Sequence, residues 1–550
     1  MHKFLASGLA TALAAALLAG CAAPRPAEPV KVRVLAINDF HGNLRPAPGG
    51  LRTSDPANPG QTITVPAGGA EHLATAVAEL RTAHPNHIFV AAGDLIGATP
   101  LLSALFRDEP TIESLSLMGL EASAVGNHEF DKGADELLRL QRGGCHPGEG
   151  CRGPVPFKGA GFQYLAASTV VQSTGRTLLP AYHVKRFQGL PVAFIGLTLA
   201  GTPGIVVPAG VAGLKFRDEA ETVNELVPLL RRQGIEAIVV LIHEGGWPSG
   251  GHNECPGISG PIVDIVKRLD KAVDVVISGH THRAYNCRID GRLVTSGDKY
   301  GTLVTAIDLA LDPQTGDVAS AVADNVIVLP SFARDPRQTQ LIEMYERLAA
   351  PLARRVVGRL GADLPRDADP AGASVLGQVV ADAQLAATQD AGAQIAFMNP
   401  GGIRAALPRP ADGQLRYEDL FSVQPFYNNL VTLTLSGAQV LDLLEQQWQQ
   451  PRPRILQVSR GFSYAWDATR PVGQRVVPGS VRLHGRPLDA AAEVRVTVNS
   501  FLAAGGDGFS VLEAGRQPRT GIMDVDALEL FVKANPLLVP GPLDRIVRLN

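Results

Sequence analysis

The chain has 550 residues, 45% of them hydrophobic, with 58 Gly and 41 Pro. That length exceeds one compact core and predicts two principal domains of α/β (α+β) character with many tight turns. The formal net charge is -3 with no block of Lys or Arg, which excludes a sequence-independent grip on a nucleic-acid polymer.

The first 20 residues read as an export signal. His2 and Lys3 precede an apolar run from Leu9 to Ala19, too short to span a membrane. The run ends in Leu18-Ala19-Gly20-Cys21, which resembles a bacterial lipoprotein box with Cys21 as the lipidated first residue. An ordinary cleaved signal with an incidental cysteine is the alternative. Residues 21–30, rich in Pro and Ala, then form a tether. Ala22 after the cysteine implies, by the same resemblance, a lipid-anchored place in the cell envelope, at the outer membrane. Cys145 and Cys151 flank a Gly/Pro loop and would close a local clip, leaving Cys255 to pair with Cys287. Thiolate metal ligands are the weaker alternative, because no cysteine adjoins the Asp/His motifs below.

Residues 31–332 alternate strand, loop and helix. Val32–Ile37, Ile88–Ala92, Val192–Leu197, Ala237–Ile242 and Val273–Ile277 are continuous apolar runs, suited to strands buried on both faces. Glu71–Ala83 and Ala220–Gln233 carry helical patterns. Residues 333–357 read as a linker helix in which Leu341, Ile342, Tyr345 and Leu348 keep a helical spacing. A smaller α/β domain, 358–550, follows. It includes a helix with Leu376, Val379, Val380, Ala383 and Ala387 on one face, and a strand Leu430–Leu435 before a helix Gly437–Gln449.

Chemistry follows the strands. Asp39–Phe40–His41, Gly93–Asp94, Gly126–Asn127–His128–Glu129, His243–Glu244 and Gly279–His280–Thr281–His282 each come just after an apolar run, where an open α/β sheet places its ligands. Asp39 and His41 alternate, so an extended backbone would point both to one side. Oxygen and imidazole donors from five strand ends suit a pair of cations about 3.5–4 Å apart, able to polarise a phosphoryl group and ionise water. Singly, each fragment is commonplace, and Asn127 alone is an ordinary turn residue. His72, His84, His87, His146, His183, His252 and His484 lie outside such contexts and read as surface or satisfied core.

These motifs resemble those of the calcineurin-like metallophosphoesterases. The resemblance implies a four-layer αββα domain, one cation on Asp39, His41, Asp94 and His282, and a second on Asp94, Asn127, His243 and His280. It casts His128 as the group that stabilises the transferring phosphoryl or its leaving oxygen, with Asp131 holding the imidazole in its working tautomer.

The second half narrows the reaction. Asn399-Pro400-Gly401-Gly402-Ile403-Arg404 follows the apolar run Ile395–Met398. Paired glycines let backbone approach a ligand closely, and a guanidinium there suits a phosphate oxyanion. Phe426 and Phe501 read as loop aromatics beside strand ends, and Asp507 as a carboxylate on the turn Gly505–Gly508. Core phenylalanines and a plain hairpin turn are the alternatives.

With the metal half, the chain resembles the exported 5'-nucleotidases over nearly all of its mature length. By that resemblance Phe426 and Phe501 sandwich the base, Asp507 binds ribose hydroxyls, and Asn399 and Arg404 contact base and phosphate. The C-terminal domain swings to deliver the nucleoside. The implied cofactors are two divalent ions drawn from Zn, Mn, Co or Fe. The implied reaction releases nucleoside and phosphate from nucleotides, with 2',3'-cyclic nucleotides and UDP-sugars as further substrates.

Two departures stand out. Family members often carry a further arginine and a glutamate just before the helix holding Leu376, whereas this chain has Asp369-Pro370-Ala371-Gly372-Ala373-Ser374 there. His282 replaces an amide found in several relatives. Two rival readings share the scaffold: a thiosulfohydrolase of sulfur oxidation, and a non-catalytic envelope nucleotide binder.

Overall fold

The structure, a computed structural model, describes residues 28–550 apart from 56, 59, 60 and 155. The export signal and Cys21 lie outside the described residues.

Twelve strands of the first half form two six-stranded sheets. They are β1 (Val30–Ile37), β2 (His87–Ala91), β3 (Ala122–Ala124), β4 (Gln163–Leu165), β5 (Tyr182–Phe187), β6 (Leu190–Thr198), β7 (Ala237–His243), β8 (Val275–Ser278), β9 (Ala284–Ile289), β10 (Arg292–Gly297), β11 (Leu303–Leu311) and β12 (Val318–Ile327). The first sheet runs β12-β11-β1-β2-β3-β4, with β1 to β4 parallel. The second runs β9-β10-β8-β7-β6-β5, with β6, β7, β8 and β10 parallel.

The period of two along each strand explains the continuous apolar runs. Val32, Val34 and Ala36 of β1 join Val239 and Leu241 of β7 in a core between the sheets. Leu35 and Ile37 face the other way, onto α1 (Ala70–Thr82) and α2 (Glu109–Met118). Ile238, Val240 and Ile242 face α3 (Glu219–Arg232) and α4 (Pro261–Arg268). Helix, sheet, sheet, helix is the resulting order, the αββα arrangement. Each buried Ile or Leu contributes about 1.5–3 kcal/mol, and the charge that β1 does carry is paired, Arg33 with Asp308 of β11 at 2.7 Å.

Helix α5 (Pro336–Ala353) follows. The Asp335 carboxylate caps it, accepting from the Arg337 N–H at 2.8 Å. Leu341, Ile342 and Tyr345 are buried as expected, but Leu348 is 47% exposed. The buried stripe continues instead through Ala349 and Ala353, because 3.6 residues per turn carries position 348 off the face. Arg45 ties this helix to α1, reaching Glu346 at 2.8 Å and Glu71 at 2.6 Å.

The last part is a five-stranded sheet of β13 (Ile395–Met398), β14 (Asn429–Ser436), β15 (Gln457–Val458), β16 (Glu493–Asn499) and β17 (Arg516–Met523), ordered β15-β13-β16-β14-β17. Met398 packs on Leu376 and Val380 of α6 (Val375–Ala387) and on α8 (Asp524–Ala534). Phe397 and Val496 pack on Val440 and Leu443 of α7 (Gly437–Gln446). The core under α6 also takes in Phe106 of the first half and Tyr345 of α5. That continuity joins the two halves through apolar contact. Cys145 pairs with Cys151 and Cys255 with Cys287, at Cα separations of 4.5 and 5.2 Å.

Candidate metal centre and substrate cleft

Five strand ends deliver the donor residues. Asp39 and His41 follow β1, Asp94 follows β2, Asn127 and His128 follow β3, His243 closes β7, and His280 and His282 follow β8. The expected extended segment at Asp39 and His41 is absent. Asp39, His41, Asp94, His280 and His282 take φ of 50°, 45°, 50°, 69° and 53°. A left-handed non-glycine residue costs about 1–3 kcal/mol and persists only where its surroundings fix it. Here the Asp39 and His41 N–H groups donate to the carbonyls of Gly93 and Asp94, both at 3.0 Å. Glu129 lies buried beneath, accepting from the N–H groups of Asp94, Leu95 and Gly126 at 3.0, 2.8 and 2.7 Å. Gly126 has to be glycine, since a Cβ would lie 2.1 Å from Asp94 Oδ1.

Three overlapping groups of donors result: Asp39, His41 and His282; His41, Asp94 and His128; Asp94, His243 and His280. His282 Nε2 stands 3.2 Å from Asp39 Oδ1, and His41 Nε2 stands 3.6 Å from Asp94 Oδ2. His243 Nε2 is 2.9 Å from that same Asp94 Oδ2, and His280 Nδ1 is 3.1 Å from Asn127 Oδ1. Asp94 is thus shared by the two halves of the cluster. Partners outside the cluster set the rings. His41 Nδ1 pairs with the Gly97 carbonyl at 2.9 Å and His243 Nδ1 with that of Ala92 at 2.7 Å, so each turns Nε2 inward. Asn38 Nδ2 donates to Asp39 Oδ2 at 2.7 Å.

The electrostatics suit cations. Burial and the Arg404 guanidinium hold the His41 pKa down to about 3. Burial and the neighbouring His243 hold His280 at about 3. Burial holds His282 at about 4 against the pull of Asp39. Those imidazoles are neutral, with lone pairs available. Burial opposes charge on His243 as well, yet Asp94 and Asp39 draw it up to about 10. Burial also raises the Asp94 carboxyl, but His243 and His128 overcome it and keep it far below its usual range. Buried carboxylates that pull positive charge onto an adjacent imidazole, beside three neutral ones, fit a pair of divalent ions.

His128 borders this centre. Its Nδ1 lies 2.7 Å from Asp131 Oδ2, and although burial opposes charge, Asp131 and Asp94 raise its pKa. Its ring stacks 6.0 Å from that of Phe426 at 25°. A cleft of about 350 Å3 opens here, with Asn127, His128 and His280 on one wall and Arg404, Phe426, Phe501 and Asp507 on the other. Phe426 and Phe501 are half-buried rather than core. Asn399 is buried, donating to Asp507 Oδ2 at 2.7 Å and accepting from Asn499 Nδ2 at 3.0 Å. Arg404 presents Nε and Nη2 buried without a hydrogen-bond partner. Every site residue expected from the sequence, Cys21 apart, therefore falls at this centre, on its cleft or in the two disulfides.

Some neighbours were not expected. The segment 369–374 does lack an arginine, but Arg366 lies just upstream and donates through Nη1 to the Arg404 carbonyl. Burial and the Arg404 charge lower its pKa. Arg454 donates to Asp507 Oδ1. Tyr300 sets its ring 5.9 Å from His41 and 6.0 Å from the Arg404 guanidinium. Arg366 stands three residues before Asp369, outside the segment 369–374, and Arg454 and Tyr300 carry no motif.

Residues 32–284 match the family model of calcineurin-like phosphoesterases, and residues 355–514 match that of the 5'-nucleotidase C-terminal domain. The chain is 32% identical over 512 residues to an endonuclease of Bacillus subtilis, covering 92% of this chain and 40% of that protein. It is 32% identical over 550 residues to a cell wall protein of Listeria monocytogenes, covering 93% and 68%. It therefore spans less than half the length of the first of these relatives. A solved structure, a 5'-nucleotidase precursor from Thermus thermophilus, superposes with a TM-score of 0.76 at 28% identity, over 94% of this chain and 99% of that one. The chain belongs to the 5'-nucleotidase family of metallophosphoesterases, which join a calcineurin-like domain to a 5'-nucleotidase C-terminal domain.

Proposed function

We propose that this protein hydrolyses the 5'-phosphate of nucleotides in the cell envelope, releasing nucleoside and phosphate, with 2',3'-cyclic nucleotides and UDP-sugars as secondary substrates. Arg404 carries the reading. A half-buried guanidinium with two buried, unpartnered nitrogens, between an Asp94-centred donor set and an aromatic cleft, calls for an anion attached to a planar ring.

Asp39, His41, Asp94 and His282 would hold one divalent ion, and Asp94, Asn127, His243 and His280 the other, with Zn, Mn, Co or Fe favoured by the imidazoles. When bound, the pair supplies Lewis acidity to phosphoryl oxygens and lowers the pKa of water. Arg404 binds the phosphate oxyanion and orients it over the donor set. His128, with Nδ1 held by Asp131, offers Nε2 to charge developing on the phosphoryl group or leaving oxygen. Phe426 and Phe501 stack the base, about 1–3 kcal/mol per base. Asp507, fixed by Asn399, accepts from the ribose hydroxyls. The aromatic pair and Asp507 favour a nucleoside over the thiosulfohydrolase reading. Export and lipidation at Cys21 would place the reaction outside the cytoplasm.

Phosphate release across AMP, GMP, CMP, UMP and 2',3'-cyclic AMP tests this. Chelation should abolish release and Zn or Mn should restore it. Full activity after exhaustive chelation overturns the metal assignment. AMP binding without phosphate release would identify a binding protein instead, and silence on the whole panel would revive the sulfur reading.

A further inference from the structure

We propose that Arg454 is the positioning residue that makes this cleft prefer, among nucleoside 5'-phosphates, those with a ribose whose hydroxyls are both free. The inference rests on the nucleotide reading above and adds to it a residue and a substrate class, ribonucleotides over their deoxy counterparts.

Asp507 has φ of 61°, between Gly505 at 80° and Gly508 at 83°. A left-handed aspartate flanked by left-handed glycines has little intrinsic reason to keep one orientation. Two donors supply the reason. Asn399 Nδ2 binds Oδ2, and Arg454 Nη1 binds Oδ1. Each oxygen keeps a second lone pair for an incoming donor. A carboxylate held at both oxygens, in a cleft wall, is the acceptor that two adjacent hydroxyls fit. Burial pushes the Asp507 carboxyl upward, and Arg454 and Asn399 act against that.

Arg454 is itself braced. Its N–H donates to the Gln447 carbonyl at 2.8 Å, and the Leu456 N–H donates to Gln447 Oε1 at 2.7 Å. Two residues earlier, the Arg452 guanidinium lies 3.6 Å over the ring of Trp247 in the metal-bearing half. Gln450 covers the turn, since a Cβ on Gly508 would meet its Nε2 at 2.6 Å. Residues 450–456 thus form a strap that presses the Asp507 turn into place and spans to the other half.

Calorimetric titration of the full chain with adenosine, 2'-deoxyadenosine and 3'-deoxyadenosine tests the proposal, with thermal unfolding as the folding control. Wild type should bind adenosine about tenfold or more tightly than either deoxynucleoside, the scale of one hydrogen bond to a charged acceptor. Arg454→Met should bring that ratio close to one, and the KM ratio of AMP to 2'-deoxy-AMP should follow it. Arg454→Lys keeps the charge without the planar fork; its ratio should fall in between, and it carries the comparison if the Met variant does not fold. Equal binding of all three nucleosides by wild type, or an unchanged ratio in both variants, overturns the inference and leaves the nucleotide reading standing. No binding of any nucleoside by wild type overturns both.

Discussion

Glu129 touches no substrate, yet three backbone N–H groups from the Asp94 and Gly126 loops end on its carboxylate. Burial and the nearby Asp94 charge push its pKa to about 7, so the loops hold it at a cost. Glu129→Ala leaves three buried donors unpaired, each worth about 1–3 kcal/mol. The variant should lose its bound metal and melt well below wild type; metal analysis of the purified protein reads the first and thermal unfolding the second. Wild-type metal content in that variant would show that the loops hold their shape unaided. The sequence places Glu129 in the Gly126–Glu129 fragment but gives it no role, because that role exists only where two loops meet. The left-handed conformations of Asp39, His41, Asp94, His280 and His282 were equally hidden. Adjacent glycines advertised turns, but not that the ligands themselves would bear the strain.

Among elements, the apolar runs of β1, β2, β6 and β7 were legible because both faces are buried, and composition alone then marks a strand. β12 was not: its residues VASAVADNVI lie mostly exposed or half-buried at a sheet edge and keep no alternation. β8 begins at Val275 rather than Val273, since Asp270 to Val273 close a turn. The Arg454 strap was unreadable for a different reason. A Pro-rich stretch reads as solvated coil until Asp507 and Trp247 are brought to it. The Cys255–Cys287 bond shows what such connections contribute. It closes a loop of 32 residues between the segments carrying His243 and those following His282. Replacing both cysteines with serine should destabilise this half by about 2–4 kcal/mol, or about 2–4 °C of melting midpoint per kcal/mol. An unchanged midpoint under otherwise identical conditions would show the bond to be idle.

At the scale of the molecule, the two halves share apolar core, the Arg45 ion pairs and the Arg452–Trp247 contact. Their division of labour was readable in advance: donors before residue 283, aromatic and guanidinium groups after residue 398. The proposed attachment to a membrane is a separate property and would rest on Cys21. Cys21→Ser should move the protein from the membrane fraction to the soluble one with phosphatase activity retained; persistence in the membrane pellet would show that something other than a lipid holds it.

The cleft is built from residues as far apart in the chain as Asn127 and Asp507. A nascent chain therefore has its full set of imidazoles and carboxylates once His282 has left the ribosome, and no selective wall until more than two hundred further residues have followed. An interrupted product would carry every donor residue without the wall formed by Arg404, Phe426, Phe501 and Asp507. On the proposed reading, recognition waits on completion of synthesis, and a polypeptide exported before folding would leave the nucleotides of its parent cell untouched.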